Sequence, residues 1–163
     1  MSQNNRMNPL DEVRLQRLLQ GQRWGCLGTL DGGHPALSWV ACALDGQGAL
    51  LLHLSQLARH TRNLLVDGQV SLALTEPDDG RGDPQTLARI TLDGVVEPLA
   101  GDDEAYHAAR QCYLARLPDA EMLFGFKDFS LFKLTPQTAR YVEGFGSSHR
   151  LTAEQLQALL IPL

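Results

Sequence analysis

The sequence has few cysteines and no long apolar run, and each shortage argues against a class of protein. Three cysteines in 163 residues, an odd number without close spacing, argue against a disulfide framework or a zinc site. We therefore expect no metal and a reducing, cytoplasmic location. No apolar stretch approaches the ~20 residues that cross a bilayer, and residues 1–8 lack the apolar core of a signal peptide. We expect no membrane partner.

An excess of basic charge is also lacking. The chain has 14 Lys and Arg against 19 Asp and Glu, a net charge of -5, which argues against non-specific binding to nucleic acid. With 44% hydrophobic and 20% charged residues, the composition is that of an ordinary globular protein, and 163 residues fit one domain spanning residues 1–163. One local basic cluster stands out at residues 59–62.

Hydrophobic periodicity divides the first half of the chain into a helix, a meander and a second helix. Asn8-Pro9 begins an amphipathic helix over residues 8–20, which Gly21 ends. Period-two patterns and Gly-containing turns predict strands over 24–30, 35–44 and 49–54. A helical pattern then covers 56–66, and strand character returns over 69–76.

The second half of the chain adds strands and two more helices. Residues 87–99 predict one long strand that is bulged or bent at Asp93-Gly94, and a helix follows over 102–117. Two further strands, 129–134 and 139–142, are expected around a Thr135-Pro136 turn. A capping box at Thr152 and Gln155 opens a final helix over 152–160. Six or seven strands predict a mainly β (α+β) fold, a closed or nearly closed antiparallel barrel with flanking helices.

The basic cluster follows the end of an apolar strand and lies in the first turns of a predicted helix. Ser55 can cap this helix, whose start offers free N–H groups and the positive end of the helix dipole. Arg59 and Arg62, three residues apart, share a face and can both reach one dianion. This pattern predicts a phosphate site, and its alternative is a solvated basic helix face.

Several motifs together resemble the pyridoxamine-phosphate oxidase-like family of FMN-binding split barrels. The matching pieces are Gly33-His-Pro35, the polar strand end at Ser55, Arg59-His60 opening the helix, and residues 69–74. The similarity is closest to the haem-utilisation branch of that family. Its signatures here are residues 57–64, Asp83-Pro84 with Ala88-Arg89, Lys127-Asp-Phe129, and Gly144-Phe145-Gly146.

The resemblance implies FMN as cofactor and assigns it a binding site. The second strand would run along the flavin ring and the third would end at the ribityl phosphate, while a polar residue on the fifth strand would reach the flavin. In this sequence those positions are Ser38, Trp39, Val40 and Ala41, then His53, Leu54 and Ser55, and finally Arg89. An Arg-Lys pair that holds the phosphate in the family corresponds to Arg59 and His60. A neutral His binds a dianion more weakly than Lys, so Thr61, Arg62 or Asn63 would compensate.

Three functions follow from this resemblance, in decreasing order of support. The first is an FMN-dependent oxidoreductase acting on an unidentified small molecule, as a homodimer with flavin at the two-fold interface. True pyridoxamine-phosphate oxidase activity is not expected, because that enzyme's substrate-phosphate motif is not found. The second is a haem-binding protein in which His53, His60 or His149 ligates iron. The C-terminal extension that contributes to haem binding in that branch is not found after Gly146, so haem binding is expected to be weak or absent. The third is a non-enzymatic module that has lost flavin.

Overall fold

The strands of this chain form one antiparallel sheet that curls around an apolar interior. The computed structural model describes residues 7–161, so the ends of the predicted 1–163 domain, including most of the polar start at residues 1–8, lie outside the described residues. The described part contains eight strands and four α-helices. In chain order they are α1 (Pro9–Gly21), β1 (Trp24–Asp31), β2 (His34–Ala41), β3 (Ala43–Leu44), β4 (Leu50–Ser55), α2 (Arg59–Val66), β5 (Gln69–Thr75), β6 (Arg89–Pro98), α3 (Glu104–Arg116), β7 (Phe129–Gly144), β8 (Ser147–Thr152) and α4 (Ala153–Leu160).

The strand order is β2-β1-β5-β6-β7-β4-β3, and β8 pairs with the second half of β7. All strand pairs are antiparallel. The predicted mainly β fold, an antiparallel split barrel with flanking helices, is confirmed. Within residues 7–161, no helix is long and apolar enough to span a membrane.

Two apolar layers hold the sheet and helices together. Inside the barrel, Leu27, Leu52, Leu72 and Leu92 are fully buried together with Leu15 of α1. A second layer lies outside β3, β4 and β7, where α3 packs. Its buried members are Ala43, Leu51, Ala109, Tyr113 and Leu131. Every residue from Leu50 to Leu54 is buried, so β4 is covered on both faces. Since apolar burial contributes ~25 cal/mol per Å², both faces of this strand stabilise the fold.

The helix-start signals are only partly confirmed. The capping box is present, with the Thr152 hydroxyl accepting from Gln155 N–H and the Gln155 side chain accepting from Thr152 N–H. The helix predicted over 56–66 begins instead at Arg59, because Ala58 has extended backbone angles and serves as N-cap without a side-chain hydrogen bond. Ser55 therefore does not cap this helix.

The strand predicted over 35–44 is broken into β2 and β3. Cys42 lies between them, and its N–H donates to the Arg23 carbonyl at 2.9 Å rather than to a sheet partner. The strand β8 was not predicted, because Gly144-Phe145-Gly146 indicated only a turn. The turn at Phe145 and Gly146 joins β7 to β8 as a hairpin.

The turn predicted at Thr135-Pro136 is wrong, since β7 runs through it as one 16-residue strand. The reason lies on the neighbouring strand. The predicted irregularity of β6 is confirmed at Asp93/Gly94, where the register with β7 shifts and Gly94 faces Pro136. A Cβ on Gly94 would collide with the Thr135 carbonyl. The bulge and the missing side chain let the proline lie in the strand.

Candidate functional site

The predicted phosphate site at the start of α2 has its cations bound to other partners. The Arg59 Nε atom donates to the Asp31 carboxylate at 2.6 Å, and Arg62 Nη1 donates to the Leu57 carbonyl at 2.6 Å. Each guanidinium thus has an oxygen partner within the chain.

The other predicted residues of α2 lie towards the barrel. Thr61 is fully buried, and its hydroxyl is buried without a partner. The Asn63 amide donates to the Thr29 hydroxyl at 3.0 Å, which fastens the helix to β1. His60 is half-buried, and this burial lowers the pKa of its imidazole, which is therefore uncharged near neutral pH. An uncharged ring offers little to a phosphate dianion.

The end of β4 directs its predicted residues to different layers. Leu54 belongs to the barrel interior, and the Ser55 hydroxyl donates to the Asp128 carboxylate at 2.7 Å. His53 lies on the opposite face of the strand, beneath α3. Its ring stacks on Phe124 with 3.8 Å between centroids, and its Nδ1 atom is buried without a partner. Burial, followed by repulsion from Arg110, lowers the pKa of His53 to about 4.

The β2 run alternates between the interior and an exposed apolar face. Val40 is buried inside, Ser38 is half-buried and Ala41 is half-buried at the end of the strand. Trp39 is 56% exposed and stacks on Trp24 of β1 with 5.6 Å between ring centroids. Leu37, opposite Gly28, is also exposed. We call this outer surface, formed by Trp24, Leu30, Leu37 and Trp39, the tryptophan face.

Arg89 is the predicted site residue that lines an open groove. The groove has a volume of about 440 Å³ and lies at the junction of β6, β7 and β8. Its walls are Gln85, Arg89, Arg140, Val142, Gly144, Phe145, Gly146, Ser147 and Ser148. Phe145, at the hairpin turn, is 83% exposed.

The groove carries positive charge that the chain does not neutralise. Arg89 Nη1 donates to the carbonyls of Gln85 and Leu87 at 2.9 and 3.2 Å, which orients the guanidinium and leaves its other donors available. Within residues 7–161, no carboxylate lies in salt-bridge range of Arg89 or Arg140. The groove can therefore bind a carboxylate or phosphate beside an aromatic ring.

His149, one of the predicted iron ligands, points away from this groove. On β8, Ser148 and Arg150 are exposed while His149 is half-buried on the other face. Its Nε2 atom hydrogen-bonds the Glu143 carboxylate, and its Nδ1 atom is buried without a partner. In the part of the chain that the structure describes, no group of three His, Cys, Asp or Glu side chains is placed to hold a metal ion.

Sequence reasoning missed Arg140 and Phe145 as groove residues. Arg140 lies in the strand predicted over 139–142 from its apolar residues, and Phe145 is named only within the Gly144-Phe145-Gly146 signature. The usable signal was the alternation itself, because Arg140 and Val142 share the outer face of β7 and Arg89 follows on the adjacent strand.

Comparisons with known proteins identify relatives over nearly the whole chain. A family model described as CREG, beta-barrel matches residues 13–157. The non-canonical haem oxygenase HOZ, chloroplastic, of Arabidopsis thaliana is 35% identical over 94% of this chain and 47% of its own length. The haem oxygenase HutZ of Vibrio cholerae is 28% identical over 89% of this chain and 83% of its own length.

A solved structure supports the same relationship. The haem-binding protein of Mycobacterium smegmatis is 32% identical, with a TM-score of 0.83, over 94% of this chain and 62% of that chain. The chain thus spans about half the length of the plant relative and less than two thirds of the mycobacterial one. The resemblance to split barrels of the haem-utilisation branch is confirmed.

These relatives correct the cofactor prediction. FMN, and with it an FMN-dependent oxidoreductase, is wrong as the leading interpretation, since the relatives above are named for haem. Because haem binding was expected to be weak or absent, the FMN-dependent oxidoreductase was placed before the haem-binding protein, and that order is wrong. In the structure, Arg59 bonds Asp31 and Arg62 bonds the Leu57 carbonyl, each through one nitrogen.

Proposed function

The chain belongs to the CREG beta-barrel family, and from that premise we propose that it binds haem and acts as a haem oxygenase. The observation that carries the proposal is 35% identity, over 94% of the chain, to a non-canonical haem oxygenase. The groove beside Arg89 is the proposed site.

The residues of the groove fit the chemistry of haem. A haem has a flat apolar ring and two propionate carboxylates at one edge. Arg89 and Arg140 offer guanidiniums without carboxylate partners among the described residues, and each can form a paired hydrogen bond to a carboxylate. The exposed ring of Phe145 provides a surface for the apolar part.

The protein's contribution is to bind and orient the ring. Haem supplies the oxygen-activating and ring-opening chemistry when it is bound and reduced. Arg89, held by two backbone carbonyls, would hold a propionate. Phe145 would contact the apolar ring at the edge of the groove.

We also propose a C2 homodimer that pairs through the tryptophan face. Two stacked tryptophans beside exposed leucines form an apolar surface larger than single exposed side chains explain. A self-complementary contact of about 1,000 Å² or more would cover this face. Because Cys26, Cys42 and Cys112 are free thiols, we place the dimer in the cytoplasm, a reducing compartment.

Haem titration tests the proposed function. We expect a Soret band on addition of haem, and Arg89→Ala and Arg140→Ala should each weaken binding about tenfold, the loss of one charge-assisted hydrogen bond. Arg17→Ala, the same change at an exposed position on α1, serves as the control. Absence of saturable binding by the wild type would refute the proposal.

The same complex tests the oxygenase activity and the iron ligand. With a reductant and oxygen, the Soret band should decay and a bilin-type product should form, whereas stable haem would indicate storage. Among the described residues no histidine lines the groove, and His60 lies on α2, away from it. Haem bound in the groove should therefore show the same Soret maximum in His60→Ala, and a changed maximum would place haem at α2 instead.

A further inference from the structure

The hairpin that carries Phe145 is held by a set of polar contacts around Glu143, and one of its members, Ser147, also lines the groove. Glu143 is the extra residue of a bulge, because the register passes from Val142–Ser148 directly to Gly144–Ser147. A bulge re-aims the side chain of its extra residue. Here the Glu143 carboxylate turns toward Ser147 and His149, and of these two residues only Ser147 lines the groove.

One oxygen of Glu143 bonds both residues that follow the turn. The Ser147 hydroxyl donates to Glu143 Oε1 at 3.0 Å, and His149 Nε2 hydrogen-bonds the same oxygen. Ser147 Oγ and His149 Nε2 are 3.3 Å apart, so the three side chains close into one cluster. Partial burial alone would raise the pKa of Glu143, but the hydrogen bonds from His149 and Ser147 outweigh it and lower that pKa. We call this cluster the clasp.

The clasp is not arranged as a hydrolytic triad. In a triad, the serine and the acid bond opposite nitrogens of the histidine. Here both the serine and the acid meet Nε2, and Nδ1 has no partner. The cluster therefore orients the chain rather than activating a nucleophile.

Two neighbouring elements anchor the clasp to the barrel. Arg14 of α1 donates through Nη1 to the Glu143 carbonyl at 2.9 Å, and its Nε and Nη2 atoms bind the Glu76 carboxylate at 2.9 and 2.8 Å. The His149 ring stacks on the fully buried Tyr141, with 6.3 Å between centroids. The base of the hairpin is thus fixed, and only Phe145 and Gly146 extend beyond it.

We propose that Glu143, Ser147 and His149 are positioning residues that hold the Phe145 ring at the edge of the groove. This inference rests on the proposed function for its ligand, and it adds residues that set the affinity by positioning Phe145. A hairpin without the clasp would sample positions in which Phe145 leaves the groove. Ligand affinity would then fall by the fraction of time that the tip is in place.

The experiment combines a protein-only measurement with haem titration. Glu143→Ala removes the hydrogen bonds to Ser147 and His149 together with the side-chain contact to Asp11. Glu97→Gln, a change at an exposed strand carboxylate of β6, is the control. Amide hydrogen exchange over residues 143–149 should be at least about tenfold faster in Glu143→Ala, because hydrogen bonds to a charged group are lost. Haem affinity should fall about threefold to tenfold, according to the open fraction.

A double variant separates positioning from a general loss of structure. If the clasp acts through Phe145, Glu143→Ala should weaken haem in the wild-type background and add nothing in a Phe145→Ala background. His149→Gln, which can still donate to Glu143, should recover most of the affinity that His149→Ala loses. Additive losses, or unchanged exchange in Glu143→Ala, would overturn the inference.

Failure of the proposed function has a different signature. If the wild type does not bind haem, the proposed function is refuted, and so is the proposal that the clasp positions Phe145 for haem. If the wild type binds haem and Glu143→Ala binds it equally well, only the inference fails.

Discussion

At the scale of single residues, the proposed site is distinguished by two arginines, Arg89 and Arg140, that line one groove, whereas Arg59 pairs with Asp31. The sequence shows that Arg59, Arg62 and Arg89 are cationic, but it does not show which of them the folded chain already engages. Arg59 bonds Asp31, 28 residues earlier, and no local pattern predicts a pair that distant. Arg89 was predicted because it is part of a family signature, and Arg140 was missed because it carries none. The sequence shows which residues are charged, whereas their hydrogen-bond and ion-pair partners are known only from the folded structure.

His53 gives a prediction at the same scale. The unfolded chain protonates this imidazole near pH 6.5, whereas the folded chain does so only near pH 4, so acidification across that window favours unfolding. The expected loss is roughly 3 kcal/mol when the window has been crossed. His53→Phe keeps an aromatic ring against Phe124 and removes the titration.

Denaturant unfolding of both proteins between pH 7 and pH 4 measures this difference. The wild type should lose more stability than His53→Phe over that range, while the contributions of the carboxyl groups cancel in the comparison. Parallel pH profiles would show that His53 does not titrate as described.

At the scale of elements, most helices and strands were predicted, and the exceptions share a cause. The Thr135-Pro136 turn signal was overridden because Gly94 on β6 leaves room for the proline. The strand β8 was missed because its alternation, with Ser148 and Arg150 exposed, contains only one buried residue, Leu151. The first error depends on a neighbouring strand, and the second on a strand with too few buried residues to show an alternating pattern.

The capping box of α4 leads to a stability prediction. Thr152→Ala removes the hydroxyl that accepts from Gln155 N–H and should cost about 1 kcal/mol. Thr138→Ala, on the strand opposite Thr152, is an exposed control that should change stability by less than about 0.5 kcal/mol. Thermal unfolding of the two variants would contradict the assignment if their midpoints were equally lowered.

The tryptophan face leads to a prediction about assembly. Trp39→Glu places a charge where the proposed partner packs and should convert the dimer to a monomer. Val13→Glu, also at an exposed apolar residue but on α1, should leave the mass unchanged. Light scattering at micromolar concentration measures both, and a monomeric wild type would end the proposal.

At the scale of the whole molecule, a proposed dimer links stability to concentration. Association of folded subunits favours the native state by mass action, so the unfolding midpoint of the wild type should rise as protein concentration is increased. The monomeric Trp39→Glu variant should unfold at a midpoint that does not depend on concentration. Thermal scans over a hundredfold range of concentration make the comparison, and a constant wild-type midpoint would argue against a coupled dimer.

The strand β7 has a consequence for how the protein is made. It pairs with β6 along one edge, and along the other edge first with β4 and then with β8. Before residues 129–144 are synthesised, β3–β4 and β2-β1-β5-β6 are two unconnected pieces of sheet. A nascent chain on the ribosome therefore exposes the apolar edge of β4 until residues 129–134 have been synthesised. At ~5–20 residues per second, that interval lasts several seconds, during which a chaperone would have access to it.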